Sequence, residues 1–185
     1  MKKKQFLQLT LILLTWSSFA QIEKGYWMVG GSGSYRSTKY VNDNPALSSD
    51  YTILRLAPNI GYFFADKLAG GLNGTFYYNP YGGSAYNLGY GIGPFVRYYF
   101  RPSHKLINIF AQANYLYYVD SNTTSYAGTI KSNSSSYGFK AGPVIYFNDS
   151  VALELAFEYL RDNINNTVKA TDLGITIGFQ IHLKK

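Results

Sequence analysis

The sequence has no cysteine, two histidines, two methionines and two tryptophans, and only 15% of its residues are charged. Without cysteine the chain has no disulfides and cannot be a lipoprotein, so its stability has to come from a core or from a membrane. Two histidines, His104 and His182, do not build a metal site, and no metal or cofactor is expected. Long uncharged apolar runs are also missing. The greasiest stretch of the mature chain, FKAGPVIYFNDSVALELAFEYL at 139–160, carries Lys140, Glu154 and Glu158 and has Asn-Asp-Ser in its middle. It is therefore a poor transmembrane helix. No basic cluster stands out, so nucleic acid is not an expected partner.

What is present leans toward strands. Tyr (19), Phe (12) and Gly (18) are abundant for 185 residues, a mixture that suits close strand contacts and interfacial rings. The first 20 residues read as a processed segment. Lys2, Lys3 and Lys4 precede a short apolar core from Phe6 to Trp16, and Ser18-Phe19-Ala20 offers small residues at −3 and −1 before Gln21. This is the layout of a secretory signal peptide, and the apolar run is too short for a membrane anchor. The expected organisation is thus 1–20 cleaved and 21–185 as one domain. Its loss lowers the formal charge from +7 to about +4.

Read with period two, the 139–160 stretch resolves into two strands. Phe139, Ala141, Pro143, Ile145 and Phe147 share one face and Gly138, Lys140, Gly142, Val144 and Tyr146 the other. Beyond Asn148-Asp149-Ser150, Val151, Leu153, Leu155, Phe157 and Tyr159 oppose Ala152, Glu154, Ala156 and Glu158. The same alternation predicts strands over 25–36, 51–64, 68–78, 87–100, 107–120 and 171–183, eight in all. Segments 37–50, 79–86, 121–136 and 161–170 are long and rich in Asn, Ser, Thr and Gly, whereas 65–67, 101–106 and 148–150 are short.

An even strand number with short turns at one end and long loops at the other predicts an all-β, antiparallel, up-and-down transmembrane barrel. A soluble barrel would put the apolar faces inside. Here the opposite faces carry Arg36, Arg55, Arg97, Lys140, Glu154, Glu158 and Asp172, which suits a lumen and not lipid. Those seven are expected to form a closed lumenal charge cluster. Counting from the strand ends pairs Lys140 with Glu158, Arg97 with Glu154 and Arg36 with Asp172, with exchange inside the group allowed. Tyr62, Phe64, Tyr98, Phe100 and Phe147 near one end, and Tyr78, Tyr90, Tyr117 and Tyr137 near the other, are expected as two interfacial girdles.

GGSGS (30–34) and GYGIGP (89–94) are glycine-rich, but no helix pattern follows either and no P-loop lysine is present. Their glycines are expected to make room for large neighbours such as Phe95, Phe110 and Tyr146. No Gly-x-Ser-x-Gly elbow or histidine pair is present, and both histidines fall at the short-turn end, so no enzymatic activity is expected. Asn122-Thr-Thr and Asn133-Ser-Ser read as solvated loop composition, and Asp149-Ser150-Val151 matches a short O-glycosylation pattern.

From about Gly25 to Leu183 the chain resembles the small eight-stranded OmpA/OmpX-type outer-membrane β-barrels of Gram-negative bacteria. In its last strand Thr176, Gly178, Ile181 and Leu183 match the polar-x-Gly-x-x-hydrophobic-x-hydrophobic signal read by the barrel-insertion machinery, with aliphatic residues at both terminal positions. The resemblance implies a monomer in outer-membrane lipid with periplasmic termini. It also implies periplasmic chaperones and the insertion machinery as partners in assembly. The role implied is a plugged barrel displaying four loops for envelope structure, adhesion or contact with a surface or host partner. A small passive channel, or a binder of apolar solutes, is the alternative.

Overall fold

A computed structural model describes residues 22–40, 49–82, 85–103, 105–124, 128–163 and 169–184. The expected signal peptide lies outside them. Eight antiparallel strands follow one another around a closed barrel: β1 (Trp27–Tyr40), β2 (Ser49–Ala65), β3 (Leu68–Gly82), β4 (Ala85–Tyr99), β5 (Ile107–Thr124), β6 (Gly128–Tyr146), β7 (Val151–Asn163) and β8 (Lys169–Leu183). Each strand pairs with its sequence neighbours, and β8 returns to β1 from Trp27↔Leu183 to Gly33↔Ile177. This is the closure expected from the strand count. It removes the free sheet edges along the paired stretch.

The period-two pattern decides which way each residue points. On β8, Leu173, Ile175, Ile177, Phe179, Ile181 and Leu183 are all exposed, while Thr176, Gln180 and His182 between them are buried. On β4, Leu88, Tyr90, Ile92, Val96 and Tyr98 face out, and Arg97 and Tyr99 face in. The barrel is inside out by the standard of a soluble protein, with a continuous apolar coat and polar side chains in its interior. Such a coat is stable where hydrocarbon covers it. Tyr78, Tyr90, Tyr117 and Tyr137 towards one end and Phe64, Tyr98, Phe100 and Phe147 at the other are exposed, flanking the aliphatic band.

Turn chemistry fixes the short connections. Asp66 and Lys67 join β2 to β3, with Lys67 in the left-handed region at φ 65°. Between β6 and β7, Asn148 Oδ1 accepts the backbone N–H groups of Ser150 and Val151, both at 2.9 Å. Asn108, fully buried, bridges the β4–β5 connection by accepting from Arg101 N (2.9 Å) and donating to Arg101 O (3.0 Å). His104 lies outside the described residues.

The long connections differ from expectation. Strands extend well into the segments read as loops, most of all between β5 and β6, where pairing continues from Tyr117↔Ser135 to Thr124↔Gly128. The Asn122 and Asn133 tripeptides thus sit on a hairpin ladder. Once a hairpin projects past the apolar coat, water bathes both faces. Apolar alternation then disappears while backbone pairing persists.

Candidate functional site

The interior is layered. At the short-turn end most inward residues are large and apolar, because β2, β4 and β6 place Phe63, Tyr99 and Tyr146 inward at or beside their ends, and β5 places Phe110 inward one step above Asn108. With Met28, Ala69, Val144 and Ala152 they form a floor whose members are at most 1% exposed. The segment before β1 folds across the floor. Ile22 is buried in it, Lys67 N donates to Ile22 O at 2.7 Å, and Lys24 N donates to Asp66 Oδ1 at 2.9 Å. His182 stands among the rings of Phe63, Tyr99 and Tyr146, with centroids 5.5–6.1 Å away, and neither ring nitrogen has a hydrogen-bond partner among the described residues.

Directly above the floor lies a charged layer. Arg97 Nη1 is 2.5 Å from Glu154 Oε1, with side-chain exposures of 1% and 4%. Nε, Nη1 and the guanidinium carbon have further contacts. Nε donates to Gln112 Oε1 at 2.8 Å, Nη1 donates to Tyr99 Oη at 3.2 Å, and its carbon lies 4.4 Å from the Phe110 ring centroid. One layer higher, Glu158 takes two cations, Arg55 at 3.2 Å and Lys140 at 3.6 Å, and Lys140 Nζ also donates to Ser32 Oγ at 3.1 Å. Lys140 and Glu158 face each other across β6 and β7.

Of the seven expected cluster residues, these five therefore form two groups, one above the other, and Arg55 joins the Lys140–Glu158 pair. Asp172 is exposed at the rim of the cavity that Arg55 and Glu158 also line. The side chain of Arg36 lies outside the described residues. In the last strand, Thr176 points inward, Gly178 abuts β1 where an added Cβ would come within 2.7 Å of Gly31 O, and Ile181 and Leu183 face out beside Val29 and Trp27.

At the long-loop end the barrel opens into a cavity of about 750 Å³. Arg55 and Glu158 form its base, with Tyr118 Oη accepting from Arg55 Nη2 at 3.1 Å. Tyr77 and Tyr118 stand on one wall with ring centroids 6.3 Å apart. Asp120 accepts from the Tyr77 hydroxyl and from Ser134 Oγ, and Asp162 and Asp172 add further carboxylates. The glycines of the 89–94 stretch serve this wall. An added Cβ on Gly89 would meet the Tyr77 ring, and one on Gly91 would come within 2.6 Å of Tyr118 Cδ1. The rings for which these two make room are therefore Tyr77 and Tyr118, while Phe95 sits against Gly61 instead.

Asp120 and Asp162 were absent from the expected cluster. Both carry the inward parity of their strands, Asp120 that of Gln112 and Asn114, and Asp162 that of Glu154 and Glu158. Asp120 is the last residue of the strand expected over 107–120, and extending the alternation past 160 would have found Asp162. Among the described residues no group of three or more His, Cys, Asp or Glu is placed to hold a metal ion.

No protein-family model and no curated protein matches the chain. Solved structures do match in fold. Neisserial surface protein A (NspA) superposes with a TM-score of 0.60 at 19% identity, covering 85% of this chain and 97% of its own. The N-terminal β-barrel domain of Pseudomonas aeruginosa OprF gives 0.52 at 12% identity, covering 86% and 98%. The outer membrane protein OprG of Pseudomonas aeruginosa gives 0.52 at 13% identity, covering 90% and 100%. The fold is that of the small eight-stranded outer-membrane barrels.

Proposed function

We propose that this chain is an outer-membrane barrel with a sealed lumen, held with both termini and the short turns in the periplasm. Its long-loop end faces outward, serving envelope structure, adhesion or surface interaction, and catalysis is no part of the role. The observation that carries the sealed lumen is the pair of stacked layers at the short-turn end. A floor of side chains at most 1% exposed lies beneath an Arg97–Glu154 pair that is almost as buried. Eight strands enclose a bore that side chains can fill, and the two layers at the short-turn end support that reading. The apolar coat supports the membrane setting, as does the likeness in fold to an outer membrane protein and a surface protein.

Assembly in this reading requires periplasmic chaperones and the insertion machinery, which would read Thr176, Gly178, Ile181 and Leu183. A passive channel would need a path through the Arg97 layer. A binder of small solutes has the mouth cavity in its favour. Deleting the four outward connections one at a time, and scoring cell-surface binding and envelope stress, tests the display role. Loss of a phenotype with one deletion supports it. Four silent deletions, in barrels that still fold, contradict it.

A further inference from the structure

Three prolines stand where a closed sheet has no ordinary place for them. Of the six in the sequence, Pro45 lies outside the described residues, Pro102 is in the β4–β5 connection and Pro80 is beside a bulge at the long-loop end of β3. Pro58, Pro94 and Pro143 lie inside β2, β4 and β6, exposed on the outward face. Each pairs with the strand before it, at Gly31↔Pro58, Leu72↔Pro94 and Ile109↔Pro143. Each interrupts pairing with the strand after it. The β2–β3 ladder runs to Leu56↔Phe76 and resumes at Asn59↔Asn73. The β4–β5 ladder skips from Ile92↔Tyr117 to Phe95↔Asn114, and β6–β7 from Ala141↔Phe157 to Val144↔Glu154. The register is the same on both sides of every gap, so these are lost hydrogen bonds and not slips. Away from the strand ends, no other ladder among the described residues is broken.

Two of the gaps share a local geometry. Gly93 and Gly142 precede their prolines, and a Cβ added to either would collide with the carbonyl opposite the proline, Tyr115 O or Leu155 O. With no proline N–H to accept from, each carbonyl lies over a bare glycine Cα. In the middle of an apolar coat such losses are a cost, because hydrocarbon offers no replacement donor. Proline on a strand ordinarily guards a free sheet edge. Here β2, β4 and β6 have a neighbour on both sides, so the folded barrel has no edge there to guard. The species with free edges is the chain before closure. Its stretch INIFAQANYLYYV at 107–119 has no charge, proline or glycine and is the kind of segment that pairs between copies. That stretch forms most of β5, which stands between two of the proline-bearing strands, and the Pro94 gap falls opposite its Tyr115.

We propose that Pro58, Pro94 and Pro143 serve the unclosed chain, keeping its apolar strands from pairing with those of a second copy while it is still in water. That the chain passes through water before insertion rests on the outer-membrane reading. The block on pairing does not, and it is measured without lipid.

The test compares the mature chain with a Pro58→Ala, Pro94→Ala, Pro143→Ala variant, which restores three N–H groups and adds no apolar surface. Both are unfolded in urea and diluted into lipid-free buffer, and aggregation is followed by light scattering and by the pelleted fraction. The variant should aggregate at least about threefold faster, and Pro94→Ala should have the largest effect of the three single changes because its gap faces 107–119. Samples moved into phosphatidylcholine vesicles after increasing delays are then scored for folding by heat-dependent gel mobility. The folded yield of the variant should fall off sooner with delay. Its yield without delay, and its urea midpoint once folded, should match or exceed those of the parent chain. Equal aggregation rates would overturn the proposal. So would a variant whose folded midpoint, or yield without delay, is lowered, since the prolines would then serve the closed barrel. Failure of the parent chain to fold into vesicles would count against the outer-membrane reading alone, because the aggregation comparison needs no lipid.

Discussion

Replacing Glu154 by glutamine keeps the size of the side chain and removes its charge. In the folded barrel that leaves the Arg97 guanidinium, 1% exposed, without its carboxylate at 2.5 Å. Losing one partner of a buried ion pair typically costs about 3–5 kcal/mol. Arg97 keeps Gln112 at 2.8 Å, Tyr99 at 3.2 Å and the Phe110 face at 4.4 Å, so Glu154→Gln should fall near the lower figure. The reverse change is harsher. Arg97→Met strands Glu154 with a single remaining side-chain donor among the described residues, Gln180 Nε2 at 3.4 Å, and should cost at least as much. Arg97→Met with Glu154→Leu removes both charges at once and should recover about 2 kcal/mol or more of the summed loss, because paired buried charges can be exchanged for apolar residues at little cost. Urea unfolding in micelles, followed by circular dichroism and gel mobility, gives all four stabilities. A Glu154→Gln barrel within about 0.5 kcal/mol of wild type, or a double variant whose losses simply add, would refute the buried-pair argument.

In the upper group, Glu158→Ala should destabilise more than Lys140→Ala, because it removes the anion shared by Arg55 and Lys140; equal unfolding midpoints would contradict the shared geometry. Gly91→Ala should cost about 1–3 kcal/mol by overlap with the Tyr118 ring, and Tyr118→Ala in the same chain should relieve part of it, as read by thermal midpoints. Intact mass of the membrane-extracted protein should begin at Gln21; retention of Lys2–Lys4 would overturn the signal-peptide reading. Proteinase added to whole cells should spare the Asp66–Lys67 and Asn148–Ser150 turns and cut on the long-loop side. It should cut the β5–β6 ladder slowly, because its backbone is paired to Thr124↔Gly128.

Strand number, closure and facing were legible in the sequence because each follows from one alternating pattern that lipid outside and charge inside both enforce. Lys140 and Glu158 illustrate it: both sit on the polar face of an otherwise apolar strand, at equal heights above a three-residue turn. The same reasoning failed where one of the two constraints ended. Residues 128–133 are exposed beyond the apolar coat, so nothing selects apolar side chains there, and a paired strand reads like a loop. The seam is a different case. Alternation on β1 and β8 says which way Tyr35 and Leu173 point, but it carries no information on where two strands distant in sequence stop pairing. Asp162 had the correct parity and was missed because its strand was ended at 160, whereas Asp120, at the very end of the strand expected over 107–120, had the parity of Gln112 and Asn114 and was passed over.

The sealed lumen is tested most directly by single-channel recording of the purified mature barrel in planar lipid bilayers. A floor that is at most 1% exposed beneath the Arg97–Glu154 pair predicts insertion without a steady conductance. In the Arg97→Ala, Glu154→Ala, Phe110→Ala variant, where that layer is emptied, currents should appear. A stable ohmic conductance from the unaltered protein would contradict the sealed barrel.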